Sequence, residues 1–198
     1  MLAGMDQRHA AVVTWRVDLV VNDAARHVWG ASTTLTLHKR AGESRDHIVL
    51  KLIGAALLLA DDVEVVVEPP VRVVGHRPDV VSSRLGEIVG WVECGDVAVD
   101  KLDRITRALG EFVVVTALKK GKTAAQGLAR AVAHIARPQR VRVLGLHADA
   151  VDAIGTALNR QVRSSVVVTI NDVVDDTTRI DVAVDDTAIV LEASRASA

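Results

Sequence analysis

The sequence predicts a mixed α/β fold, and three observations carry that expectation. Residues near the amino end alternate apolar and polar with the period of a half-buried strand. From residue 43 the period becomes that of a helix. Further on, the elements run helix, three strands, helix, strand, which is no simple doubly wound sheet with a helix between every pair of strands.

Taken in order, Val13 to Val21 alternates with Thr14, Arg16 and Asp18, and Thr33 to Leu37 repeats the pattern after the link "VNDAARHVWGA". In "GESRDHIVLKLIGAALLLA", Ile48, Leu52, Ala55 and Leu59 share one helical face, while Glu43, Asp46 and Lys51 are its polar positions. Glu43 and Asp46 suit the positive end of the helix dipole. "VEVVVE" at 63–68 is a strand stopped by Pro69-Pro70, and "VVSSRLGEIV" is two strands about a turn eased by Gly86. "VDKLDRITRALG" spaces Val99, Leu102, Ile105 and Leu109 as a helix ended by Gly110. "FVVVTAL" is a buried strand, "KTAAQGLARAVAHIA" a helix, "RVRVLGL" a strand and "ADAVDAIGTALNRQV" a helix. Three short strands follow, "SSVVVTI", "TRIDVAV" and "TAIVLEA", with Asn-Asp and Asp-Asp turns. No repeat or linker interrupts the chain, so residues 1–198 read as one domain with β decoration at both ends.

Composition narrows the function classes. Of 198 residues 49% are hydrophobic, enough for a sizeable core, whereas 2% aromatics leave no stacking platform for single strands. Lys plus Arg number 24 against 25 Asp plus Glu, so no global basic field draws in phosphates. The single Cys94 cannot form an internal disulfide, which fits a reducing cytoplasm. "MLAGMDQRHAAVVTW" lacks an apolar segment after a basic start, so no secretory signal is expected. The apolar run "LIGAALLLA" is far short of the roughly 20 residues of a membrane span. A soluble, cytoplasmic protein without membrane contact is expected.

The chemistry concentrates in "RPDVVSSRLGEIVGWVECG". Pro78 fixes the backbone before Asp79, and antiparallel pairing about the turn brings Asp79 and Glu93 to the same open end of a hairpin. Two carboxylates there repel, and one would take up a proton, unless a cation lay between them. Mg²⁺ (or Mn²⁺) suits oxygen ligands and could activate water beside a phosphodiester.

A helix followed by Pro-Asp on one strand and an acid on the next resembles the PD-(D/E)XK nuclease superfamily. More closely, "TLTLHKRAGESRDHIVLKLIGAALL", "RPDVVSSRLGEIVGWVECG" and "LDRITRALGEFVVVTAL" resemble the YaeQ family within it, over most of residues 13–120 and more loosely in the tail. The acidic helix start at Glu43, the Pro78-Asp79 pair and the run from Gly86-Glu87 to Trp91-Val92-Glu93 and Gly95 carry the likeness. It implies a restriction endonuclease-like core (α-β-β-β-α-β) over 43–120, preceded by a β-hairpin at 13–38 and followed by an αβ extension at 121–198 with short strands. It also implies Asp79 and Glu93 as metal ligands with Glu43 as a third carboxylate. The superfamily's lysine, two residues beyond the second acid, is here Gly95; Lys101 is the nearest replacement, then Arg104, a poor one because it stays charged. Two readings stay open: a Mg²⁺-dependent nuclease in which Lys101 orients or deprotonates water, and a non-catalytic descendant that binds nucleic acid or a protein.

Other features have plainer readings. Trp91 and Cys94 read as core, and the seven His lack zinc spacing. "LKKGKTAAQ" lacks the first glycine of a phosphate loop, Thr116 standing there. Its lysines Lys119, Lys120 and Lys122 are instead candidates for a nucleic-acid backbone.

Overall fold

The computed structural model describes residues 13–159, 162–174 and 176–197, so the leader-free reading of the amino terminus falls largely outside it. The chain order is β1 (Val13–Asp23), β2 (Val28–Lys39), α1 (Arg45–Leu58), β3 (Glu64–Val67), β4 (Val80–Arg84), β5 (Glu87–Cys94), α2 (Val99–Ala108), β6 (Val114–Lys120), α3 (Lys122–Val132), β7 (Val141–Leu146), α4 (Ala148–Leu158), β8 (Arg163–Val174), β9 (Thr177–Val184) and β10 (Thr187–Arg195). The fold is mixed α/β. Among the described residues there are four α-helices and one sheet of ten strands, ordered β2-β1-β8-β9-β10-β7-β6-β5-β4-β3. Its edge strands β2 and β3 touch, so the sheet is nearly closed and barrel-like.

The strands at the two ends of the chain are therefore not decoration. β1 pairs in parallel with β8, and β10 bridges β9 to β7, both antiparallel. The link expected at 21–31 shrinks to a turn, since Val28–Ala31 already belong to β2. The Asn171-Asp172 pair is likewise no turn: it lies inside β8, where the register against β9 shifts between Ile170 and Val173.

One face of the sheet buries α1 and α4 in the larger core, with Trp15, Leu37, Val92, Leu118 and Val182. The other face, at β5 to β7, carries α2 and α3 over Trp91, Val115 and Val143. The helix over 45–58 is not amphipathic as its spacing suggests; every residue from Ile48 to Ala56 is buried, Lys51 included. A sheet curled around α1 leaves it no solvent face. Gly54 permits the contact, since a Cβ there would stand 2.9 Å from Val92 Cγ1. Among the described residues no helix is long and apolar enough to cross a membrane.

Candidate active site

The hairpin of β4 and β5 turns on Leu85 and Gly86, both with positive φ (52° and 84°), the backbone of a tight two-residue turn. Val80 then pairs with Val92, and the Asp79 amide donates to the Val92 carbonyl at 3.1 Å. The Asp79 and Glu93 backbones consequently lie together at the hairpin's open end, the Asp79 carboxylate turned to His47 of α1 and the Glu93 carboxylate to Lys101 of α2. The side chain of Arg77 donates to the carbonyls of Glu68 and Pro69, tying the Pro78-Asp79 entry to the exit of β3.

Each acid has its own donors. Asp79 Oδ2 accepts from the Cys94 amide at 2.7 Å, and Oδ1 lies 3.1 Å from His47 Nε2. Burial alone would raise the Asp79 carboxyl, but these hydrogen bonds outweigh it and hold it below the usual range. Glu93 Oε1 accepts from Trp91 Nε1 at 2.8 Å and Oε2 from Lys101 Nζ at 2.6 Å. Here burial wins. It pushes the Glu93 carboxyl up despite Lys101 and Trp91, with the charge of Asp79 adding to it. Lys101 stands in the first turn of α2 and points back at the acid.

Glu43 precedes α1, whose cap is Ser44, the hydroxyl accepting from the His47 amide at 3.2 Å. Its Oε2 accepts from the Arg40 amide at 2.9 Å, and its Oε1 takes the ammonium of Lys51 and lies 3.5 Å from His47 Nε2. Glu43 thus reaches Asp79 through His47, not directly. The Lys51 ammonium also pairs with Glu68, which receives Arg40 Nη2 at 2.7 Å. Burial would depress the Lys51 amine, yet the flanking Glu43 and Glu68 raise it. For Glu68, burial works upward, and Lys51 and Arg40 overcome it to leave the carboxyl low.

His47, Lys51 and Glu68 are the residues that sequence reasoning missed. The available signal was a lysine four positions after a histidine, inside a helix otherwise apolar from Ile48 onward.

Gly95 adopts φ +71°, and a Cβ there would stand 3.2 Å from His47 Nδ1. A side chain at that position is thus both strained and crowded. Cys94 is buried, which pushes its thiol well up and suits the expected core role.

A cleft of about 420 Å³ opens at the ends of β5 and β6, lined by Glu43, His47, Gly95, Asp96, Lys119 and Lys120 among others. Lys119 and Lys120 belong to β6, not to a loop, and only Gly121 separates them from α3. No room remains to wrap a phosphate in glycine-rich backbone. Lys119 Nζ donates to Asp96 at 2.6 Å and to the Gly95 carbonyl at 3.1 Å. Lys120 Nζ bridges Asp46 (3.0 Å) and Asp152 (2.6 Å). Lys122 is not brought to this cleft; it lines a separate hollow with Gln126, Thr177 and Ser194.

Among the described residues no three His, Cys, Asp or Glu side chains form a ready metal cage. Asp79 and Glu93 still offer what Mg²⁺ ordinarily uses, one or two carboxylates with the remaining positions left to water and substrate. Each of their oxygens takes one protein donor and keeps a second lone pair.

Residues 10–195 match the family model described as YaeQ protein. Two crystal structures share the fold. The YaeQ protein from Pseudomonas syringae aligns with TM-score 0.72 at 14% identity, over 94% of this chain and 97% of that one. The YaeQ protein from Xanthomonas axonopodis pv. citri aligns with TM-score 0.70 at 19% identity, over 95% and 99%. No protein of curated function matches the chain.

Proposed function

The chain belongs to the YaeQ family, and from that premise we propose that it is a Mg²⁺-dependent nuclease of the PD-(D/E)XK superfamily, cutting phosphodiester bonds of nucleic acid on a restriction endonuclease-like core formed by α1 to β6. One observation carries the reading: the Lys101 ammonium lies 2.6 Å from Glu93, at the hairpin end that also holds Asp79. Glu93 and Lys101 make that contact, and Asp79 stands at the same hairpin end on the Cys94 amide and His47; an acid with an amine beside it supports hydrolytic chemistry there.

Asp79 and Glu93 would hold the Mg²⁺, with Glu43 behind His47; once bound, the ion supplies a polarised phosphoryl oxygen and a more acidic water. The residues of the chain do the rest. The Cys94 amide and His47 keep Asp79 ionised. Trp91 fixes the orientation of Glu93 through its indole N–H. Lys101 orients the attacking water and places positive charge where the transition state gathers negative charge.

The competing reading is a non-catalytic descendant that binds nucleic acid or a protein by this same face. It is favoured by Gly95, which holds no lysine, and by the donors already on every oxygen of Glu43, Asp79 and Glu93. Thermal unfolding under a Mg²⁺ or Mn²⁺ titration separates the two. A nuclease centre should gain about 2.7 kcal/mol at a hundredfold excess over Kd, and the gain should vanish in Asp79→Ala. An unchanged melting curve at millimolar Mg²⁺ rejects the nuclease reading.

A further inference from the structure

We propose that a groove along α3 binds a small amphipathic anion, a carboxylate or phosphate monoester carrying an apolar body. The groove holds none of Asp79, Glu93 or Lys101, so its ligand is independent of the nuclease reading. Of the lysines in "LKKGK", Lys119 and Lys120 are held by aspartates beside the candidate site. Lys122 opens α3 instead and lies in this groove, with no ion pair among the described residues.

Lys122, Gln126, Ala129 and Ala133 follow one another at helical spacing and share one face of α3. Opposite that face the chain leaves β10 and runs on along β7, where the Ala196 amide donates to the Val143 carbonyl at 3.0 Å. Asp176 adds to this wall, its carbonyl accepting from the Arg195 amide at 2.7 Å. Two hollows lie between helix and wall, and they share Asp176, Arg195, Ala196 and Ser197. Near the start of α3 the lining is polar, with Lys122, Gln126, Thr177 and Ser194. Farther along, Ala129, Val132, Val141 and Val143 give an apolar floor.

This pairing of linings selects the ligand. Arg195, like Lys122, has no carboxylate partner among the described residues, and the one acid lining either hollow is Asp176. Two cations against one carboxylate leave the groove positive. A bound anion gains charge-assisted hydrogen bonds from the ammonium and the guanidinium, with the hydroxyls of Thr177 and Ser194 as further donors. A nucleic-acid backbone, the role expected of Lys122, would use this head and leave the alanine and valine floor uncovered. A neutral apolar ligand would cover the floor and leave both cations unanswered.

Calorimetric titration of the intact chain without Mg²⁺ compares hexyl phosphate, hexanoate, hexanol and inorganic phosphate. The better of the two hexyl anions should bind at least about tenfold more tightly than hexanol or inorganic phosphate, and it identifies the head group. Lys122→Gln and Arg195→Gln should each weaken that anion about tenfold and leave hexanol unchanged. Ala133→Glu, which sets a carboxylate beside the apolar hollow, should weaken it by about the same factor. All three positions are exposed, so the variants should melt with the native chain. An anion affinity indifferent to both Lys122→Gln and Arg195→Gln overturns the assignment. Hexanol or inorganic phosphate binding as tightly as the better anion overturns it too, as does no binding of either anion at about 10 mM.

Discussion

Lys51 shows at the scale of one residue what the site depends on. An ammonium taken out of water needs partners, and Glu43 and Glu68 supply them from the start of α1 and the end of β3. Removing one member of such a set leaves the others buried and uncompensated, at about 3–5 kcal/mol. Lys51→Met should therefore lower stability by that much in urea unfolding, and adding Glu43→Gln and Glu68→Gln should recover most of the loss. A triple variant no more stable than Lys51→Met would show that the three do not act as one group. The pH dependence has a definite sign. The folded-state carboxyl of Glu68 lies below its ordinary value, so its contribution is complete above that value and disappears as pH falls through the depressed one. Melting curves of the native chain and Glu68→Gln should thus differ at pH 7 and converge only as pH falls below the ordinary carboxylate range. A difference that persists unchanged into acid would contradict this account of Glu68.

Among the elements, the hairpin was legible because its signals are local. Pro78 ends one segment, Gly86 permits the turn, and apolar alternation sets which residues pair. Asp79 and Glu93 could be placed at the same end of the hairpin from those signals alone. Helix α1 was legible as a helix but not in its orientation, because burial on every side depends on a sheet drawn from the whole chain. The strand read as "FVVVTAL" runs on through Lys119 and Lys120, and Gly121 alone makes the connection to α3. The exit of β5 shows why position 95 holds glycine and no lysine. Gly95 turns the chain at φ +71° beside His47, a conformation costly for any other residue. Gly95→Lys should accordingly lose about 1 kcal/mol or more in denaturant unfolding and gain no Mg²⁺-dependent cleavage. Increased cleavage in that variant would mean that the lysine's place is open after all.

The whole molecule is where sequence reasoning reaches least far. β1 lies beside β8, and the Asp18 carboxylate takes the guanidinium of Arg163, although most of the chain separates them. Each of those strands has the right period, but periodicity does not say which strand is its neighbour. An appended tail and an integral one differ only in pairing, and they respond differently to truncation. β10 stands between β9 and β7, so among the described residues it is the hydrogen-bonded strand that joins the β2-β1-β8-β9 half of the sheet to the half with the β4–β5 hairpin, the halves otherwise meeting where β2 touches β3. It also adds Leu191 and Ala193, both buried, to the core shared with α1 and α4. Truncation after Val184 exposes two sheet edges at once and removes that apolar cover. The shortened chain should lose its cooperative urea transition by circular dichroism, and Mg²⁺ should no longer shift its melting, because α1 no longer holds Glu43 and His47 against the hairpin. A truncated chain that keeps a sharp transition would show that β1 to β9 fold without the bridging strand, and that the candidate site rests on a smaller unit than the ten-stranded sheet.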